Sequence, residues 1–348
     1  MAHIAYYPVS GDRKPFIPWL VSSFLFSAAG ILLYVFKSNV RLLSIGSNKR
    51  SWLLIDALRK IKGTIHLVVA HNPGSFYPAQ CFAQQNNIPF GIDLEDYHPG
   101  ETNDATASER MRRLNQAILP KADYISVASP LIASYSKEDL EAPPKKELLI
   151  LNYFAADEFL APQIKEAGTA LTLVWFSQNI SHGRGLEELI PVLQTIDDVA
   201  LHLYGHMDEG FYETWLKGRK NITVHAALAQ AALHKELHKY DIGLALERPA
   251  SNLNRDLCIT NKILAYYQAG LYILASSTSA QDAFIKEHPD AGEICGLHQE
   301  TLTATLRRMI SGKMEIRAAA ANRFAKARKH NWETASGTLL NTWNQVLS

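Results

Sequence analysis

Short apolar runs rich in β-branched and aromatic residues recur along the first 151 positions, with longer amphipathic stretches between them. The runs are His3–Tyr7, Ile31–Phe36, Arg41–Ile45, Ile65–Ala70, Phe90–Asp93, Tyr124–Ala128 and Leu148–Leu151. Helical periodicity fills Ser51–Lys60, Tyr77–Asn86, Ala105–Ile118 and Pro130–Ser136. Strands that alternate with helices predict a parallel sheet covered on both faces. A polar, proline-containing stretch, Ala155–Thr169, follows and marks a domain boundary. The alternation then restarts, with strands expected at Leu171–Phe176, Leu201–Tyr204, Ile222–His225, Ile242–Leu246 and Tyr272–Ala275 and a helical, polar-faced end from Met314 to Leu347. The expected fold is α/β, with two doubly wound, Rossmann-like domains. Ligands of such folds bind outside the carboxyl ends of the strands, so polar residues just after strands are where chemistry is expected.

A length of 348 residues fits two cores better than one. A net charge of +1 and the lack of any dense Lys/Arg run exclude a general nucleic-acid binder. Cys81, Cys258 and Cys295 are far apart and lack C-x-x-C spacing, which points to a reducing cytoplasm rather than to disulfides or zinc. From Phe16 to Phe36 there is no charge, and the length would span a bilayer. Pro18, Gly30 and the serines at 22, 23 and 27 interrupt it, so a buried helix over Pro18–Ala29 and a core strand over Ile31–Phe36 are expected instead. No small-residue cleavage site follows, as a secretory signal would require. Peripheral membrane contact stays open.

Four stretches at strand ends carry candidate chemistry. Strand Asp241–Leu246 leads into Glu247 and "RPASNLNRDLCI", after which Thr260 is placed to cap a helix from Asn261 to Ala269 that stops at Gly270. Free N–H groups at Asn261, Lys262 and Ile263 would bind an anion, with Lys262 and Arg255 adding full charges suited to a diphosphate; equally, Thr260 only caps and both cations are solvated. In "SQNISHGRGLEELI", Gly183 and Gly185 flank Arg184, which can fork onto phosphate or simply occupy an exposed turn. No dinucleotide fingerprint or P-loop is present. "HNPGS" puts His71 at the end of one strand, and "GIDLEDYHPGE" puts Asp93, Glu95, Asp96, His98 and Glu101 at the end of the next. Crowded carboxylates predict one raised pKa and a general base; they can also bind acceptor hydroxyls or cap the following helix.

In order and spacing these segments resemble the GT-B glycosyltransferases, and within them the family 4 group that uses nucleotide-sugar donors. Leu67–Glu101 is similar to the acceptor-side segment, "LTLVWFSQNISHGRGLEELI" to the opening of the donor domain, and "TNKILAYYQAGLYILAS" to the donor-site helix and strand. "NWETASGTLLNTWNQVL" resembles the terminal helix that crosses back to the first domain. The resemblance implies an acceptor-side domain over 1–155, a donor domain over 156–330, and a terminal helix over 331–348 packed on the first domain, the two domains facing across a cleft. It implies a cytoplasmic enzyme of glycan or polysaccharide synthesis that moves a sugar from a nucleotide-diphosphate donor to a glycan, lipid-linked or protein acceptor, retaining configuration, with no metal and no cofactor. Arg184, Lys262 and the helix start at Thr260–Asn261 would neutralise the departing diphosphate, while His71, Asp93, Glu95 and Asp96 would orient or deprotonate the acceptor. Two departures stand out. Ser177 and Gln178 occupy the loop where the family has a basic residue. Ala265 stands where the family has its ribose-binding glutamate, with Leu257 at the upstream acidic position, so ribose would fall to Glu247, Asn254 or Asp256, or the donor is unconventional. The rival expectations are a non-catalytic GT-B partner subunit or sugar-binding module, and an epimerase or hydrolase on the same scaffold. No feature of the sequence fixes the oligomeric state.

Overall fold

A computed structural model describes residues 14–166, 168–248 and 252–348, so the predicted strand His3–Tyr7 lies outside the described residues. The chain forms two compact units. One takes in the chain up to Ile150 with Asn252–Asn254 and Thr338–Ser348; the other takes Leu151–Ser251 and Arg255–Gly337.

In the first unit four parallel strands stand in the order of the chain: β1 (Val68–His71), β2 (Phe90–Leu94), β3 (Tyr124–Val127) and β4 (Glu147–Leu149). The crossovers contain the helices Pro73–Asn86, Ala105–Ile118 and Pro130–Glu138. Every residue of β3 is buried, the pattern of a strand covered on both faces. Phe76, Ile92, Leu114, Ile118 and Ile132 fill the space between sheet and helices. Near the carboxyl end of the chain, Trp343 Nε1 donates to the Tyr124 hydroxyl at 2.7 Å and ties the last helix, Trp332–Leu347, to β3.

Two expected strands of this unit are helical. Phe16–Leu32 is one continuous helix through Gly30, and Val40–Ser47 is a second, replacing the strands expected at Ile31–Phe36 and Arg41–Ile45. A short apolar run fits helix and strand alike, and a single glycine costs a helix only about 1 kcal/mol. The deciding signal for the second helix is Asn39, whose side chain accepts from Leu42 N at 3.0 Å as an N-cap. Nor is the first helix buried: of its residues only Ser22 and Ala29 are.

The second unit has six parallel strands: β5 (Leu171–Ile180), β6 (Val199–Met207), β7 (Ile222–His225), β8 (Ile242–Ala245), β9 (Tyr272–Ser276) and β10 (Gly292–Cys295). Their order is β10-β9-β8-β5-β6-β7. The chain winds outward from β5 in one direction, then returns beside β5 as β8 and winds out in the other. This reversal makes the carboxyl ends of β5 and β8 the topological switch point. β10 was not expected from the sequence, because Gly292-Glu-Ile-Cys is too short and polar to show an alternation. Gly292 is there for contact: a Cβ would stand 2.1 Å from the Ile273 carbonyl oxygen of β9.

Asp241, just before β8, secures the polar stretch that leads into β5. Burial works to raise its pKa, but Arg317 at 3.1 Å, Lys165 at 2.9 Å and the Thr172 N–H together hold the carboxyl below its usual range. Each sheet also accepts an aromatic ring at a strand glycine. A Cβ on Gly91 would come within 2.3 Å of the Tyr124 ring, and one on Gly243 within 2.2 Å of the Tyr266 ring. Tyr266 is fully buried in the helix Asn261–Gln268. Gly243→Ala should therefore lower stability by about 1–3 kcal/mol through overpacking, measured as a drop in the midpoint of thermal or urea unfolding. An unchanged midpoint would show that the helix can shift away from β8 freely.

Candidate functional site

At the switch point of the second unit opens a cavity of about 590 Å³. Its walls come from the end of β5 (Phe176, Ser177, Gln178), the end of β6 (Tyr204, Gly205, His206), the helix Gln230–Glu236 and the helix start Thr260–Lys262. The ladder between β5 and β6 slips between Phe176 and Asn179, which takes Ser177 and Gln178 out of the pairing and turns them to the cavity wall. Gly205 permits the slip. Its φ is +154°, and a Cβ would lie 2.4 Å from the Ser177 carbonyl oxygen.

Thr260 occupies the N-cap position of the helix Asn261–Gln268, yet its side chain makes no capping bond. Its hydroxyl is buried without a partner, in the cavity wall. The first N–H groups of a helix have no intrahelical acceptor either, so this end presents donors and a positive dipole to the cavity. Lys262 is not solvated. It is 8% exposed, its ammonium donates to Glu247 Oε1 at 2.7 Å, and it lies 5.6 Å from the centre of the Trp175 ring. Glu247, weighed as a ribose ligand, is thus buried and engaged with Lys262. Gly270 closes the helix at φ +71°, as its left-handed stop requires.

The other donor candidates lie outside the cavity wall. Arg184 stands in the turn between Gly183 and Gly185, both at φ +80°. A Cβ on Gly185 would come 2.8 Å from Leu246, so the glycine lets this turn pack directly against the end of β8. Gly183 N donates to Glu187 at 2.7 Å, and Arg248 pairs with Glu188 at 2.6 Å. Arg255 sits in the short helix Leu253–Leu257. Asp256 accepts from the Ser279 N–H and hydroxyl at 2.8 and 2.5 Å. Asn254 belongs by its contacts to the first unit, where it accepts from Tyr97 N and donates to Asp96, each at 2.7 Å.

Ala265 is fully buried in the core of the second unit, and every residue from Lys262 to Gln268 is buried. No carboxylate lines the cavity among the described residues. Behind its wall, Glu158 accepts from His234 Nδ1 at 2.6 Å and from Gln230 Nε2 at 3.2 Å. His234 stacks on Phe159 with ring centres 4.8 Å apart, and burial lowers its pKa against the pull of Glu158. Gln230 and His234 escape sequence inspection because "QAALHKE" reads as an ordinary helix with a polar face.

In the first unit, β1, β2 and β3 align His71, Asp93 and Ser126 in one row across the sheet. His71 Nδ1 meets Asp93 Oδ2 at 3.0 Å, and Ser126 Oγ donates to Asp93 Oδ1 at 2.5 Å. With Asp93 in the middle the hydroxyl never touches the imidazole, so this is not a serine nucleophile with its base. The His71 pKa is raised by the hydrogen bond to Asp93, against partial burial and with help from the charges of Asp93 and Glu95. Asn72, next in sequence, is held at φ +68°, a strained backbone for a side chain of its kind. The expected crowd of repelling carboxylates is divided among partners: Asp93 and Glu95 beside His71, Asp96 bonded to Asn254, and Glu101 at 3.2 Å from His98. His71, Asp93 and Glu95 offer ligand atoms all within 4.8 Å of one another, close enough for one cation. Asp93 is shared between His71 and Ser126, and the His71 and Glu95 side chains are exposed.

No family model matches this chain, and no curated protein sequence does. Solved structures do. The sucrose-phosphate synthase of Thermosynechococcus elongatus aligns with a TM-score of 0.66 at 16% identity, covering 86% of this chain and 79% of that one. HepE of Anabaena, solved with UDP, aligns at 0.65 and 14% identity over 85% of this chain and 82% of its own. A glycosyltransferase from Rickettsia africae aligns at 0.62 and 12% identity over 97% and 84%. Two parallel-sheet, Rossmann-like units with this likeness establish a GT-B glycosyltransferase fold for the chain.

Proposed function

We propose that the chain is a glycosyltransferase that takes a sugar from a nucleotide-diphosphate donor bound in the second unit and passes it to an acceptor hydroxyl at the first. The observation that carries this is the Thr260 hydroxyl, buried and partnerless in the wall of a 590 Å³ cavity at a helix start. A buried hydroxyl without a partner costs about 1–3 kcal/mol, which a bound phosphate oxygen would recover. HepE, which shares the fold, is solved with UDP and with UDP-glucose. The helix start and Lys262 would carry the charge that develops on the departing diphosphate, so the transfer needs no metal. Retention of configuration and a role in glycan or polysaccharide synthesis in the cytoplasm follow from the family resemblance and complete the proposal. His71 would take the proton of the acceptor, with Asp93 fixing its ring and Glu95 beside it. The cavity wall holds no carboxylate, which favours a second reading in which the unit binds a nucleotide sugar without transferring it. Turnover of UDP-glucose in the presence of crude acceptor glycans separates the two.

Thr260→Val is the cleanest test of the phosphate site. It keeps shape and removes an orphan group, so stability should stay within about 0.5 kcal/mol of wild type. Affinity for UDP should fall roughly tenfold or more by calorimetry, as for a hydrogen bond to a charged group. Equal affinity would remove the central support of the proposal. Lys262→Met should abolish UDP binding and also lower stability by about 3–5 kcal/mol, because Glu247 is left buried and unpaired.

The His71–Asp93 pair adds a pH dependence of definite sign. A raised His71 pKa means that the stabilisation is fully present below about pH 6.5 and is lost as pH rises through the higher folded value. The same titration would set the acidic limb of transfer, since only neutral His71 accepts a proton. Followed by NMR, the His71 ring should titrate above 6.5, and Asp93→Asn should move it downward. A midpoint indifferent to Asp93→Asn would rule out the pair as the tuned base.

A further inference from the structure

The helix Phe16–Leu32 turns its more apolar face outward. The residues it buries are Ser22 and Ala29, whereas Ile17, Phe24 and Ile31 are 72, 71 and 69% exposed. With Leu20 between them, these positions are three, four and seven apart, so they form one stripe along the helix. Tyr34, Val35 and Phe36 prolong it past the helix end, all exposed. So large a continuous apolar surface on an otherwise polar unit marks a place of contact.

The charge around it is one-sided. From Lys14 to Ile55 the sequence has five cations, Lys14, Lys37, Arg41, Lys49 and Arg50, and no carboxylate, in a chain whose net charge is only +1. Lys49 stands 5.7 Å from the centre of the Phe26 ring, and Lys14 and Lys37 bracket the stripe at its two ends. Beside the helix, a cavity of about 340 Å³ brings Leu33 and Leu43 together with Lys37, Arg110 and Arg113, and its one carboxylate, Glu109, is paired with Arg112 and Arg113 at 3.1 and 2.8 Å. At about 1.5 Å per residue the 17-residue helix is about 25 Å long, short of the ~30 Å hydrocarbon layer. No described helix is long and apolar enough to cross a membrane.

We propose that this helix, with its extension to Phe36, lies in the surface of an anionic lipid bilayer and seats the first unit there. An in-plane helix sinks an apolar face below the headgroups while flanking Lys and Arg meet lipid phosphate. Aromatic residues at the ends, Phe16 and Trp19 at one and Tyr34 and Phe36 at the other, suit the headgroup layer. A second copy of the chain fits less well, because a two-fold pairing of these faces would set the five cations between Lys14 and Ile55 against their own copies, and that stretch has no carboxylate to meet them. The inference stands apart from the proposed donor chemistry, since it concerns only the first unit.

The test is co-sedimentation of the full chain with vesicles of phosphatidylcholine alone and of phosphatidylcholine with phosphatidylglycerol. Binding should favour the anionic vesicles and weaken with salt. The double variant Phe24→Glu, Ile31→Glu should bind about tenfold more weakly or not at all, with circular dichroism and melting unchanged because both positions are exposed. If that variant fails to fold, Ile17→Ser with Phe24→Ser makes the same test more gently. Absence of binding to either vesicle would overturn the proposal, as would binding indifferent to the variants or to lipid charge. A dimer in sedimentation velocity that the variants dissolve, with no vesicle binding, would assign the face to self-association instead.

Discussion

The second unit is organised around one buried ion pair. Lys262 and Glu247 meet at 2.7 Å with both side chains nearly out of solvent, at the end of β8 and the start of the helix that follows it. The Glu247 backbone N–H donates to Ser276 Oγ at 2.7 Å, and Gln281 Nε2 reaches the same oxygen at 3.2 Å. The pair therefore fixes the carboxyl ends of β8 and β9 together, over the Trp175 ring of β5. Desolvating two charges is expensive, and apolar residues of the same volume are often at least as stable. What the pair supplies that apolar residues could not is a cation of fixed position at the helix start. The neighbouring Arg248 reaches the other way, to Glu188 and Glu187, and Glu187 in turn holds the Gly183 turn. Two consecutive residues thus set both loops of the switch point.

The first unit solves a different problem with a simpler parallel sheet, its strands in chain order. Parallel pairing in register puts His71, Asp93 and Ser126 side by side, so the geometry of the row is inherited from the sheet and needs no loop to hold it. The exposed imidazole sits at the free end of the row and the hydroxyl at the buried end, which gives Asp93 two donors and leaves His71 Nε2 for a ligand. On the proposed function, His71 would act as proton acceptor from a rigid element, which is what precise positioning of a reacting hydroxyl requires.

Much of this was legible in the sequence, and the failures have physical causes. Apolar runs such as Tyr124–Ala128 and Ile242–Leu246 locate the strands because burial on both faces leaves no polar-facing side. Ile31–Phe36 fails because a short apolar run beside a glycine carries no period, and only its surroundings decide. Thr260 shows the limit of a capping signal: the residue is at the N-cap, as its type predicts, but the bond is not made. Lys262 shows the limit of local charge, since its partner lies 15 positions upstream and the burial of both depends on how β8 and the helix meet. The grouping of Asn252–Asn254 with the first unit was hidden for the same reason, since it rests on contacts made far away in sequence, such as those of Asn254 with Asp96 and Tyr97.

Ala265 changes meaning in this setting. It is fully buried in the same cluster as Tyr266, whose ring packs on Gly243 of β8, so a carboxylate there would be buried among apolar side chains. The helix is packed for an apolar residue at this position. Polar groups facing the cavity are neutral amides and rings instead, Gln178, Gln230 and His234, with His234 kept toward its neutral form by burial. On the proposed function, ribose and sugar hydroxyls would meet neutral partners, while the charge of the ligand would be met only at the helix start. A site built so would draw most of its affinity from the diphosphate and comparatively little from the ribose, and its tolerance for different bases and sugars follows from the same division.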